Sequence, residues 1–315
     1  MKGLELSRLY YEQFGKKMIE EQFGEYADRI TVGLAGEGSE CLGFDDEIST
    51  DHDFEPGFCM WIDEADERIF GFKLERAYAR LPKEFMGYGR QLLAPAGGRR
   101  KGVLISENFC ERFLGTEGVS RPLTLTEWMR LPSESLAAFS SGEIFKEGNN
   151  KFSSARKEIL KGYPLDVKKK KLASALSFIA QSGFYNYKRC LEHGENGGAQ
   201  LAIFEFIDNA TKAIYLLNDK YRPFYKWIFR GMRELEVFSE LEEPLVFLTE
   251  SGNDKKTAEY KTGIIEDVTN AIITELKRRK LTDATCMNPD THAFSVNDKI
   301  EDATLRNMHI MIDGR

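Results

Sequence analysis

Asp51 and Asp53 stand one residue apart just before an apolar run, and that placement constrains the chain more than any other feature. Side chains alternate faces along an extended strand, so both carboxylates point the same way, with Cβ atoms about 7 Å apart. Upstream, Ile30 to Ala35 (ITVGLA) is a short apolar run ending at Gly36, the pattern of a buried strand. Downstream, residues 51–62 (DHDFEPGFCMWI) read as a second strand region broken by Pro56-Gly57. Carboxylates entering an apolar strand need a partner, because burying them unpaired is expensive. No Lys or Arg occurs between Arg29 and Arg68 to provide one. A hard divalent cation such as Mg²⁺ takes oxygen ligands and keeps waters or phosphates, so it suits two carboxylates on one face. Gly38-Ser39 adds backbone N–H groups and a hydroxyl without bulk, which suits close approach by a phosphate. A phosphate cradle beside a metal platform points to chemistry on a nucleoside triphosphate. The remaining acids here (Asp45, Asp46, Glu47, Asp63, Glu64, Asp66 and Glu67) read as a solvated surface.

At 315 residues the chain has room for two domains, each with a core. A hydrophobic content of 42% with 12% aromatics excludes a disordered chain. The net charge of −7 gives no field that would draw in nucleic acid wholesale. No segment reaches the ~18 apolar residues of a membrane span. Five scattered cysteines without a C-x-x-C pair read as reduced thiols, which implies the cytoplasm and argues against a zinc site.

In chain order, Leu6, Tyr10, Phe14 and Met18 recur at helical spacing and predict an amphipathic helix over residues 4–22. A second helix is expected over 63–81, closed by Pro82. The stretch 87–102 is rich in glycine and basic residues. It reads either as a loop bringing Arg90, Arg99, Arg100 or Lys101 to phosphates or as a solvated hairpin loop. A strand at 102–106 then leads into Glu107. This residue is placed either as a third site carboxylate, metal ligand or base, or as a first-turn helix acid favoured by the macrodipole; Glu111 is the reserve.

From Leu123 onward nearly everything shows helical spacing, with Thr126 as the expected first cap. Lys168 to Lys171 read as a solvated helix end. On the same helix Tyr185, Asn186 and Arg189 group polar and stacking side chains. Residues 199–220 form a helix apolar on most faces, hence central. After it, Lys220, Tyr221, Arg222, Tyr225, Lys226, Trp227 and Arg230 interleave cations with aromatics. That mixture suits a nucleotide site and equally an aromatic core with its basic stems laid over it. A charged amphipathic helix is expected at 254–280.

Gly38-Ser39, eleven intervening residues, then Asp51-His52-Asp53 resembles the signature of the nucleotidyltransferase superfamily that includes DNA polymerase β and the aminoglycoside nucleotidyltransferases. More narrowly, VGLAGEGSECLGFDDEISTDHDFEPGFCMWI resembles a bacterial domain of unknown function within that superfamily, and the similarity extends to YNYKRC and NDKYRPFYKW. The resemblance implies an α+β protein: a minimal nucleotidyltransferase core with a mixed sheet over residues 1–122, then a helical bundle over 123–315. It implies that Gly38 and Ser39 hold the triphosphate of ATP or another NTP, and that Asp51 and Asp53 ligate Mg²⁺. Glu107 would be the third acid by position alone, which leaves one or two metals open. Tyr185, Asn186, Arg189, Lys220 and Lys226 are the expected nucleotide-binding groups of the helical half.

The expected reaction moves NMP from an NTP to a hydroxyl of a small molecule. Transfer to RNA or protein, and a non-catalytic nucleotide-binding module, are the alternatives.

Overall fold

The computed structural model describes residues 1–47, 55–90, 100–116, 118 and 121–312. The chain is α+β, with a small mixed sheet and a helical C-terminal region. It divides into two compact units, one of residues 1–123 with 132–161, the other of 124–131 with 162–315.

In the first unit, helix α1 (Gly3–Tyr10) continues through a π-helical turn, Tyr11–Gly15, into α2 (Lys16–Gln22). Leu6, Tyr10 and Met18 of the predicted stripe are buried. Gly15 sits in this helix because a Cβ there would stand 2.4 Å from the Phe58 ring. Strands β1 (Thr31–Leu34) and β2 (Cys59–Ile62) pair antiparallel, Thr31 opposite Trp61 and Gly33 opposite Cys59. Every residue of both is buried, as continuous apolar runs in a central position require. Helix α3 (Ser39–Leu42) lies between β1 and β2 in the chain, and after β2 come α4 (Glu64–Asp66), a π-helical turn and α5 (Phe72–Ala79). A two-stranded ribbon follows, β3 (Glu84–Phe85) with β4 (Tyr88–Gly89). Strand β5 (Gly102–Ile105) then lies parallel to β2 and runs into α6 (Ser106–Leu114).

The sheet is completed from a segment that reads as helical in sequence. After α7 (Leu125–Arg130) and α8 (Ser133–Ser140), residues Glu143–Lys146 form β6, antiparallel to β1, giving the order β5-β2-β1-β6. Two glycines allow this approach: a Cβ on Gly33 would stand 2.3 Å from Glu143 O, and one on Gly142 1.9 Å from Leu34 O. With α9 (Lys151–Ile159), this segment belongs to the N-terminal unit although it lies beyond residue 122. Asn150 fixes the junction, its amide donating to Thr31 Oγ1 (2.8 Å) and Trp61 O (2.9 Å).

Two acids of the supposed solvated surface are buried instead. Asp45 accepts the Gly3 N–H at 2.7 Å, capping the first helix, and Asp66 pairs with Arg29. The first cap of the following helical stretch is Thr124, not Thr126. Its side chain takes the Glu127 N–H while Glu127 returns to the Thr124 N–H, a reciprocal capping box.

The second unit is built on α10 (Leu165–Ile179), buried from Val167 to Ile179, and α12 (Asn196–Leu217), the expected central helix. Between them lie a π-helical segment, Ala180–Asn186, and α11 (Tyr187–Glu192). Helices α13 (Ile228–Met232), α14 (Glu242–Glu250), α15 (Lys255–Arg278), α16 (Pro289–Asp298) and α17 (Ala303–Asn307) complete the unit. One apolar cluster joins residues from Leu172 to Val296.

Lys168 to Lys171 are not a solvated helix end; all four are buried. Four consecutive helical residues point all the way round the axis, and each of these lysines reaches a different neighbour. Lys168 pairs with Asp219 (2.5 Å), Lys169 donates to Lys299 O (2.6 Å), Lys170 to Met308 O (2.7 Å) and Lys171 to Met129 O (3.3 Å). The run ties α7, the end of α12 and the C-terminal helices to α10.

Candidate functional site

The candidate site is the turn that leaves β1. Leu34 ends the strand, and Gly36 (φ 120°) and Gly38 (φ 152°) follow in backbone conformations that favour glycine. Ser39 opens α3, and its hydroxyl makes no hydrogen bond among the described residues. The turn is clamped from the far side of the sequence. Gly142 N donates to Cys41 O at 2.7 Å, and Ser141 Oγ lies 2.9 Å from Gly36 O and 2.7 Å from Ala138 O. The buried Arg156 guanidinium anchors that clamp by donating to Phe139 O (2.6 Å) and Ser141 O (2.9 Å).

Charged groups of both signs surround the turn. Arg112, from the last turn of α6, pairs with Glu37 at 2.5 Å. Lys101, buried at the start of β5, donates to Glu55 O at 2.8 Å. Cys41 and Cys59 are buried thiols here. Burial raises both, Cys59 to about 12, and the Glu40 carboxylate adds to the rise while Lys101 opposes it. Neither thiol is an activated nucleophile.

Glu40 follows Ser39 on the first turn of α3. It is only 9% exposed, and among the described residues it makes no hydrogen bond and no ion pair. Its carboxylate folds over Gly38, where a Cβ would stand 2.9 Å from Oε2 and 3.4 Å from Oε1.

The predicted residues fall into separate places. Gly38 and Ser39 form the turn. Asp51 and Asp53 lie outside the described residues. The described chain resumes at Glu55 and enters β2 at the sheet end where the turn sits, because β1 and β2 are antiparallel.

Glu107 is not brought to that end. It follows the C-terminal end of β5, which is parallel to β2, so the strand length, about 10 Å, separates it from the turn. There it accepts the Glu64 N–H at 2.9 Å, capping α4, and pairs with Lys151 at 2.9 Å. Burial pushes its carboxyl up, but the Lys151 ammonium and the backbone N–H groups outweigh that and hold it below the usual range. A carboxylate so engaged is a structural cap and a poor base. Glu111, one helical turn nearer the clamp, is exposed and accepts from Thr116 at 3.1 Å.

In the second unit, Arg189 donates to Tyr185 Oη at 2.9 Å and lies over its ring, with both side chains exposed. Asn186 is half-buried beside them. Lys220 and Lys226 are exposed, the latter 4.9 Å from the Trp227 ring centre. The interleaved segment is divided between two roles. Arg222 turns inward to Asp208 (2.6 Å) and Tyr221 packs on Tyr163, while Phe224 and Tyr225 remain exposed. The two groups do not meet. Cys190, beside Arg189, packs at Gly198 near the start of α12, whereas Lys220 follows its end, roughly 30 Å away along the helix.

Among the described residues, no three His, Cys, Asp or Glu side chains converge as a metal-binding group. No described helix is long and apolar enough to cross a membrane.

A family model matches part of the chain. Residues 128–228 are similar to a domain of unknown function, DUF4037. The match takes in Tyr185, Asn186, Arg189, Lys220 and Lys226 and leaves out the turn after β1. No curated protein and no solved structure matches the chain.

Proposed function

We propose that the protein is a Mg²⁺-dependent nucleotidyltransferase that moves NMP from an NTP, ATP first among them, to a hydroxyl of a small molecule. One observation carries this reading. The glycine turn at Gly36–Ser39 lies at the sheet end where the chain re-enters β2, a few residues in sequence after Asp51-His52-Asp53. An anion-accepting turn next to the entry of an acidic segment is the pairing that metal-triphosphate chemistry needs.

In this reading the backbone of Gly38-Ser39 and the Ser39 hydroxyl orient the triphosphate. Asp51 and Asp53 would hold the cation, whose charge would stabilise the transferring phosphoryl group. Gly142, Ser141 and Arg156 keep the turn in shape. The acceptor oxygen bonds to the α-phosphorus as the bond to the bridging oxygen breaks. Pyrophosphate leaves with that electron pair, and the hydroxyl proton passes to water. Glu107 has no part in the step. Tyr185, Asn186 and Arg189, and separately Lys220 and Lys226, are the binding groups this reading gives the nucleotide or its acceptor.

The five cysteines are all free thiols, in keeping with action in the reducing cytoplasm. The substrate class is tested with α-phosphate-labelled ATP, Mg²⁺ and a cell extract separated by size. Label in the small-molecule fraction, lost with Asp51→Asn, is expected. Label confined to RNA or protein would replace the acceptor, and no label anywhere would remove the enzyme reading.

A further inference from the structure

Residues 220–233 carry five Lys and Arg and no Asp or Glu, in a chain whose net charge is −7. The fold sorts these cations. Arg222 turns inward to Asp208 (2.6 Å) and Arg233 pairs with Glu242 (2.8 Å). Lys220 and Lys226 stay exposed, and Arg230 is half-buried. The acid just before the segment, Asp219, is engaged by Lys168 and Arg279.

The aromatic rings are sorted in the same way. Tyr221 packs on Tyr163, while Phe224 is 50% and Tyr225 72% exposed. Those two outward rings lie together, their centres 4.4 Å apart and their planes tilted by 48°. Trp227, whose N–H donates to Phe224 O at 2.9 Å, carries two cations near its ring. Lys226 Nζ is 4.9 Å and Arg230 Cζ 5.8 Å from the ring centre. The backbone that displays the rings is held on both sides. Ahead of them Arg222 donates to Asp208 O (2.9 Å) and Thr211 Oγ1 (3.0 Å) on α12, and behind them Tyr215 Oη donates to Ile228 O at 2.7 Å. A surface fixed in this way loses little freedom when a ligand settles on it.

Paired open aromatic faces among cations match one ligand chemistry. Unpaired bases stack on the rings, and the adjoining phosphates meet the ammonium and guanidinium groups. Lys220 stands four residues before Phe224, within about 14 Å along the chain, and Lys226 directly follows Tyr225. Cations thus flank the rings on both sides in sequence. A duplex hides its base faces, whereas the loops and ends of RNA present them unstacked. We propose that Phe224 and Tyr225, with Lys220, Lys226 and Arg230, form a docking surface for single-stranded RNA. The surface needs no turnover, so binding alone tests it, apart from the nucleotidyltransferase reading.

The test uses the full chain and a fluorescently labelled, non-self-complementary RNA of roughly 12 nucleotides, within the site sizes of such surfaces. Anisotropy is followed over a series of salt concentrations, with the same strand annealed to its complement as the control. Wild type is expected to bind the single strand more tightly than the duplex. Phe224→Ala/Tyr225→Ala should weaken single-strand binding by about 10-fold or more at an unchanged melting temperature. Lys220→Gln/Lys226→Gln should lower the slope of log affinity against log salt by about 1.4. No binding by wild type at low salt, a duplex bound as tightly as the single strand, or an aromatic variant within about twofold of wild type would each overturn the proposal. Self-association of wild type that the aromatic variant abolishes would also overturn it, by giving the rings to a second copy of the chain. If the aromatic variant does not melt cooperatively, the lysine variant decides, and an unchanged salt slope overturns the proposal.

Discussion

Glu107 Oε1 stands 2.9 Å from Lys151 Nζ, while its other oxygen accepts the Glu64 N–H at 2.9 Å. One carboxylate thereby joins the first turn of α6, the start of α4 and the start of α9 at the sheet end opposite the glycine turn. Glu107→Gln is expected to cost about 1 kcal/mol, from a weakened cap and a lost, partly solvent-screened ion pair. Because its folded pKa is lowered, this contribution is full above the ordinary 4.5 and disappears as pH falls through the folded value. Urea denaturation of the variant and wild type at neutral and acid pH checks it: the difference should shrink with acid, and nucleotide binding should be unchanged.

Gly142 carries the β1–β6 junction and the clamp on the turn. With φ 70° and Leu34 O only 1.9 Å from where a Cβ would be, Gly142→Ala meets both backbone strain and a backbone clash. A loss of about 3 kcal/mol or more is expected. Calorimetric melting measures it, and any ligand binding at the turn should weaken in parallel.

Lys170 is wholly buried and donates to Asn297 Oδ1 (2.8 Å) and Met308 O (2.7 Å). Lys170→Met keeps the length and leaves both acceptors unsatisfied, which should cost about 1–3 kcal/mol. Burial lowers the folded pKa of this ammonium below 10.5, so the unfolded chain binds the proton more tightly. In wild type this group therefore contributes a stability that rises as pH climbs from its folded pKa toward 10.5. Denaturation between pH 8 and 10.5 should show that rise diminished in Lys170→Met.

Glu275 is held at about 2, chiefly by hydrogen bonds from Arg278, which outweigh burial, with Arg279 adding to them. Its stabilising effect is complete above 4.5 and is lost progressively as pH falls toward about 2. Glu275→Gln should therefore flatten the acid limb of the stability curve, as read by melting temperature from pH 7 down to pH 2.

Much of the fold was legible because burial leaves a period in the sequence. The first helix, the apolar runs of β1, β2 and β5, and the central helix α12 all follow from it. β6 was not legible. Its four residues, Glu143–Lys146, form a half-buried edge among helical segments, and the glycines that admit it, Gly33 and Gly142, are over a hundred residues apart. The lysine run misled for a related reason. A run of charge signals solvent unless its partners are known, and the Lys170 acceptor Met308 O is 138 residues away. The glycine-serine pair was legible as a turn, and Gly38 and Ser39 do form the turn into α3. Glu107 was misplaced because strand direction decides which end a residue reaches, and the parallel β2–β5 pairing is not written in either strand.

The most direct test is calorimetric titration of the protein with a non-hydrolysable ATP analogue, with and without Mg²⁺, beside the Asp51→Asn/Asp53→Asn variant. Binding that needs Mg²⁺ in wild type and is lost in the folded double variant is the predicted result. Binding that ignores both the metal and the two aspartates, or no binding to any of the four nucleotides, would contradict the account.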